Sequence, residues 1–231
     1  MKKMTLSLLI SVILIAVGAA AFFVFRPALL VTKTEKPSRA IPEYLPNPDP
    51  AGVSLIRESY GTDGLEVPGL SKEDLKDPAK VARAYVDKYG ASFGITDPDK
   101  ELAMRVSDSR TGEGVGVMFS QMYRGLWVRG SAFTVLVSAD GRVFLATGSF
   151  VPGLSLDIVP KMTAKQVDSL LEKQYPGSKR SDIGGLQVLV GYGAPRLIRI
   201  ISVVPPRFSS GYSAIIDVNS GEILAAISDV L

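Results

Sequence analysis

Twice along this chain a helical repeat of apolar residues gives way to a series of strand-like runs, and that order restricts the fold more than any other feature. Asp77-Pro78 supplies an N-cap followed by proline at the first helical position. Val81, Ala82, Tyr85, Val86 and Tyr89 then recur at helical spacing, which predicts an amphipathic helix over 78–93 ending near Gly94. Strand-like runs follow over 102–107, 115–123, 131–138 and 142–150, with Ala139-Asp140-Gly141 as the turn between the last two. Thr163 caps a second helix over 164–175, with Val167, Leu170 and Leu171 on its apolar face. Runs over 186–192, 196–203, 212–218 and 222–228 come next, the last two turning at Asn219-Ser220-Gly221. Laying 134–143 on 214–223 brings Gly141 onto Gly221 together with flanking apolar residues. This pattern predicts an α+β fold of two tandem modules, 78–152 and 153–231. In each, a helix covers one face of an antiparallel sheet and the other face stays free.

The region before the modules has a different character. Residues 4–25 carry no charge and follow Lys2 and Lys3. As a helix rising about 1.5 Å per residue they span about 33 Å, the thickness of a bilayer core. The lysines stay inside, so 1–26 reads as a signal anchor that sends the remainder across the membrane. A cleaved signal peptide is the alternative, with Ala19-Ala20-Ala21 as the cleavage site. Either reading places the body outside the cytoplasm. Pro27, Pro37, Pro42, Pro46, Pro48 and Pro50 make the following stretch an extended spacer. The spacer and its lead-in run over 27–77, with a strand near 53–57.

Composition removes most chemistry. The chain has no cysteine, so disulfides, thiol nucleophiles and thiolate metal sites are excluded. It also has no histidine, which rules out a His-Glu-x-x-His zinc site and any Ser-His-Asp arrangement. Setting aside Lys2, Lys3 and Arg26 leaves 23 Lys and Arg against 23 Asp and Glu. A body so balanced offers no basic stripe for nucleic acid. Asp97, Asp99, Glu101 and Asp108 echo a calcium loop, but Leu102 stands where glycine is required, and a helix end running into a strand accounts for them. Gly112, Gly114 and Gly116 lack the helix that a phosphate loop needs and read as a hairpin turn. No catalytic residue, metal ligand or cofactor site emerges.

Three stretches carry a family resemblance. One is Ser92-Phe93-Gly94-Ile95-Thr96-Asp97-Pro98 with Glu101-Leu102; another is Gln121-Met122-Tyr123-Arg124-Gly125-Leu126 continuing to Val128 and Gly130; the third is the helix from Thr163 with Asp217-Val218-Asn219-Ser220-Gly221-Glu222-Ile223-Leu224. Over 78–230 the body resembles the propeptide (FTP) domain of fungalysin- and thermolysin-type zinc peptidases followed by a PepSY domain. Trp127, Arg129 and Ser131 depart from that family's pattern, which has proline, often an aromatic, and glycine there. The resemblance implies cystatin-like/PepSY-like modules that chaperone and inhibit a peptidase. No catalytic domain precedes Leu231, so the expectation is a non-enzymatic module acting in trans on an exported metallopeptidase. The alternative is a structural or assembly component of a cell-envelope or secretion complex.

Gln121, Tyr123 and Trp127 alternate along one run and share a face if no bulge intervenes. One reading makes them, with Arg129, a polar-aromatic patch that docks a protein partner. The other packs them beneath the first helix.

Overall fold

The computed structural model describes residues 53–228 apart from 62, 112–113 and 207–210, and for 107–111 and 228 only the backbone. The expected membrane-spanning helix over 4–25 and the spacer up to residue 52 lie outside the described residues. Among those described, no helix is long and apolar enough to cross a membrane.

Helix α1 (Pro78–Tyr89) forms where the local chemistry asks for it. The Asp77 carboxylate accepts from the backbone N–H of Ala79 and Lys80, and proline fills the first turn. Val81, Ala82, Tyr85 and Val86 form its buried stripe. The expected helix to residue 93 stops short: beyond Tyr89 the chain tightens into a 3-10 turn (Gly90–Phe93) and leaves through Gly94 at φ 86°. A single turn, α2 (Pro98–Glu101), is capped by Asp97. Helix α3 (Ala164–Gln174) opens with a capping box, Thr163 and Gln166 each satisfying the other's backbone N–H, and buries Val167 and Leu171.

Among the described residues nine strands accompany them: β1 (Ser54–Ser59), β2 (Leu102–Thr111), β3 (Gly114–Tyr123), β4 (Leu126–Val137), β5 (Val143–Phe150), β6 (Lys179–Leu189), β7 (Arg196–Val204), β8 (Tyr212–Asp217) and β9 (Ile223–Ser228). They form one mixed sheet in the order β1-β5-β4-β6-β7-β8-β9, with β3 also paired to β4, and β2 to β3. Every pairing is antiparallel except β4 with β6, where Trp127, Val128 and Arg129 lie beside Gln187, Val188 and Leu189. The sequence pattern foresees antiparallel sheets and misses this parallel joint. β4 is longer than expected, starting at Leu126, because its first half serves β6 and its second half serves β5.

Two apolar clusters fill the helix side. Under α1, Tyr85, Phe119, Phe133, Val135, Ile56 and Phe150 pack together, with the Phe119 and Phe133 rings stacked at 5.1 Å. Under α3, Val167 and Leu171 meet Leu197, Ile201, Ala214 and Ile216. The two halves differ on the opposite face. In the second half that face is not free: Leu189, Ile198, Ile200, Ile215 and Ala225 form a separate buried cluster there.

The turn glycines match only in part. Gly141 and Gly221 both adopt positive φ, 80° and 77°, as a tight reversal of this kind requires. The first turn closes between Ser138 and Arg142, the second between Asp217 and Glu222, one residue longer. The side-chain parity slips with it. Phe133, Val135 and Val137 face α1, whereas Ala214, Ile216 and Val218 face α3, so superposing the glycines puts core residues of one half on outward positions of the other.

Candidate functional site

The stretch singled out in the sequence folds as a hairpin, not as one run. Arg124 and Gly125 both take positive φ, 49° and 83°, making a two-residue turn between β3 and β4. Tyr123 pairs with Leu126, and Met122 with Trp127. Tyr123 and Trp127 therefore point to opposite faces, and the four candidate residues separate into two pairs.

Gln121 and Tyr123 point inward and hold the connection between the two halves. Gln121 is 3% exposed. Its amide nitrogen donates to the Val151 carbonyl at 2.8 Å, and its amide oxygen accepts from the Val151 N–H at 3.0 Å and from the Ser131 hydroxyl at 2.6 Å. A primary amide is suited to this because it presents a donor and an acceptor side by side. The Tyr123 hydroxyl repeats the arrangement on Leu156, accepting from its N–H and donating to its carbonyl, both at 3.1 Å. Two side chains thus clasp the backbone of 151–156. Tyr123 packs against Val128, Val151, Val188 and Val190, a cluster separate from the one under α1.

Trp127 and Arg129 point the other way. Trp127 is 46% exposed and Arg129 is exposed, and both sit where β4 meets β6. Register carries this outward face across the first half. Arg57 on β1 pairs with Thr147, Thr147 with Thr134, Thr134 with Met118, and Met118 with Arg105 on β2. Their neighbours in the strands, Ile56, Ala146, Val135 and Val117, all lie in the cluster under α1. Arg57 and Arg105, which the sequence reading did not select, join Trp127 and Arg129 on one surface. Only the pairing register brings them together, since 48 positions separate the two arginines in the chain.

Several charged groups elsewhere are already committed. Arg180 spans Asp168 and Glu172 of α3 at 2.7 Å each, and Arg199 pairs with Asp182. Asp168, Arg180, Asp182 and Arg199 line a cavity of about 110 Å³ between α3 and the sheet. A cleft of about 610 Å³ beside the β4–β5 turn is lined by Ser138, Asp140 and Arg142, with Arg142 paired to Glu66 and Asp140. Asp97 and Asp99 are likewise spent, the first capping α2 and the second bound to Arg83 at 2.7 Å. Among the described residues no group of three or more carboxylates could hold a metal ion.

Titration follows from these pairings. Lys80 and then Ser71 bond the Asp74 carboxylate and hold its pKa at about 2. Lys100 lowers Asp97, and the Gly177 N–H followed by Arg180 lowers Glu172. Burial opposes the charge on Asp182, but the Gly185 and Gly184 N–H groups and Arg199 outweigh it. Burial raises the phenols of Tyr85 and Tyr212. A depressed carboxylate stabilises the fold above its unfolded pKa of about 4, and that contribution disappears as pH falls toward the folded value. A raised phenol stabilises below about pH 10 and loses its contribution as pH rises. None of these shifts moves a group toward neutrality, and the chain has no histidine. The thermal midpoint is expected to move by less than about 2 °C between pH 5.5 and 8 and to drop below about pH 4. Calorimetry across that range checks it; a steep change near pH 6.5 contradicts it.

Residues 104–150 match the model of the Fungalysin/Thermolysin Propeptide Motif. The matched segment covers all but the first two residues of β2 and runs to the end of β5, with Gln121, Tyr123, Trp127 and Arg129 inside it. Among solved structures, the Bacillus megaterium YpeB C-terminal domain is similar with a TM-score of 0.36 and 14% identity, over 71% of this chain and 68% of that one. No curated protein matches the chain.

Proposed function

We propose that this chain is a non-catalytic, membrane-tethered module that binds a protein outside the cytoplasm and acts in trans as inhibitor or folding helper of an exported peptidase. The observation that carries the reading is the propeptide-motif match over 104–150, in 231 residues that contain neither histidine nor cysteine. Propeptide action needs complementary surface, not titrating groups, and a rigid sheet supplies such surface. The clasp of Gln121 and Tyr123 on 151–156 suits the same role, because it fixes the hairpin against the second half before any partner arrives. On this reading the second half is PepSY-like, and 4–25 hold the body at the membrane.

The test adds the purified full-length chain to a thermolysin-type peptidase exported by the same organism. Peptide hydrolysis and the yield of active enzyme after refolding from denaturant are both measured. Slower hydrolysis or a higher refolding yield is the expected outcome. No effect on either, together with recovery of only envelope scaffold proteins when the full-length chain is used to capture partners from solubilised membranes, overturns the reading.

A further inference from the structure

The helix-free face of the first half has an unusual charge pattern. Its outward positions on β1, β5, β4, β3 and β2 follow from the register that assigns Ile56, Ala146, Val135 and Val117 to the core. Among the described side chains no aspartate or glutamate occupies those outward positions, although the body as a whole is balanced in charge. Arg57 and Arg105 do occupy them, and Arg129 joins them past the register shift in β4, two residues from Trp127, which pairs with Met122; all three are exposed. Among the described residues none of the three takes part in an ion pair or a side-chain hydrogen bond. Among the other described arginines, Arg83, Arg142, Arg180, Arg196 and Arg199 each hold a carboxylate, and Arg124 lies over the Tyr123 ring. Unpaired guanidinium groups are thus concentrated on the one sheet face that α1 leaves open.

The remainder of the surface fits a protein contact. Arg57 and Arg105 end a single transverse row whose middle is Thr147, Thr134 and Met118. Four interstrand steps of about 4.8 Å put the two arginines about 19 Å apart, the scale of one protein patch. Trp127 at 46% and Leu55 at 67% exposure supply large apolar area on the same side. Tryptophan, arginine and methionine are the residue types enriched where proteins meet. Arginine presents a planar fork that grips a carboxylate through two parallel hydrogen bonds.

We propose that this open face, with Arg57, Arg105, Arg129 and Trp127 as its anchors, receives a protein surface rich in carboxylates. The inference rests on the protein-binding reading above and names the chemistry of the partner. Aspartates and glutamates bond the three free guanidinium groups, and an apolar side chain packs on Trp127.

The test selects phage-displayed random 12-residue peptides on the full-length chain and on a triple variant, Arg57→Ser, Arg105→Ser, Arg129→Ser. These positions are exposed, so the melting midpoint of the variant stays close to that of the parent and shows that it folds. Peptides enriched in Asp and Glu are expected on the parent, with retention on the variant falling about tenfold or more. Neutral or basic selected peptides, or equal retention on the variant, overturn the proposal. So does a variant-sensitive attachment to phosphatidylglycerol vesicles without peptide selection, which makes the face a membrane contact. A dimer of the parent that the variant abolishes also overturns it, the occupant then being a second copy. The triple variant separates this inference from the propeptide reading. Peptidase inhibition that survives in the variant removes the docking face and leaves the reading intact; acidic-peptide binding with an unaffected peptidase does the reverse.

Discussion

Truncating Phe119 to alanine is expected to cost about 3–5 kcal/mol of stability, because it opens a cavity at the centre of the cluster under α1. The side chain is 1% exposed and stacks on Phe133 with ring centres 5.1 Å apart. Its strand has little freedom to collapse into the space, being paired on both sides, to Met104 on β2 and to Phe133 on β4. The loss is the transfer free energy of the ring plus the contacts its neighbours forfeit. For a domain of this size each kcal/mol moves the midpoint by about 2–4 °C, so a fall of about 10 °C is expected. Differential scanning calorimetry of the full-length chain reads it directly, and a fall of under about 2 °C shows that the core is not packed as described.

Replacing Gln121 with leucine is expected to cost about 2–4 kcal/mol, nearly as much, by a different mechanism. Leucine has similar bulk, so no large cavity opens. It leaves the Val151 N–H and carbonyl without the amide that satisfies both. A buried donor or acceptor left unpaired costs about 1–3 kcal/mol each. The effect is local: residues 151–156 stay attached only through Tyr123 and apolar contacts. Limited proteolysis should therefore cut this connection faster in the variant, well below its melting midpoint. Gln121→Glu sharpens the test. An ionised carboxylate there still accepts from the Val151 N–H but repels the Val151 carbonyl. Its folded pKa is raised, so protonation restores a donor and the variant gains stability relative to the parent as pH falls from 7 to 5. A Gln121→Leu chain as protease-resistant as the parent removes the clasp from the account.

The resemblance to the propeptide pattern falls on residues with a structural role in this chain. In the Gln-x-Tyr-x-Gly stretch, Gln121 and Tyr123 hold the connection, Gly125 makes the turn and Val128 enters the apolar layer beneath it. These residue types are therefore set by folding. Of the three positions where this chain departs from the pattern, Trp127 and Arg129 are outward, where packing imposes little, whereas Ser131 is buried and donates to Gln121.

The sequence by itself determined the two main helices, most of the strands and the turns at Gly141 and Gly221, but not the reversal at Arg124 and Gly125. Caps at Asp77 and Thr163, helical spacing of Val81, Tyr85, Val167 and Leu171, and glycine at 141 and 221 are local signals that a single pass detects. Absent histidine and cysteine also fixed what chemistry these residues can perform. Tertiary structure alone decided that β4 lies parallel to β6, that the second half buries apolar residues on both faces, and that Arg57 and Arg105 end the same row. The reason is the two-residue period of a strand. Alternation reveals that two faces differ but not which partner each will meet, and a one-residue slip, as between the two turns, exchanges them. Pairing between distant segments settles that choice through burial, which no local pattern encodes.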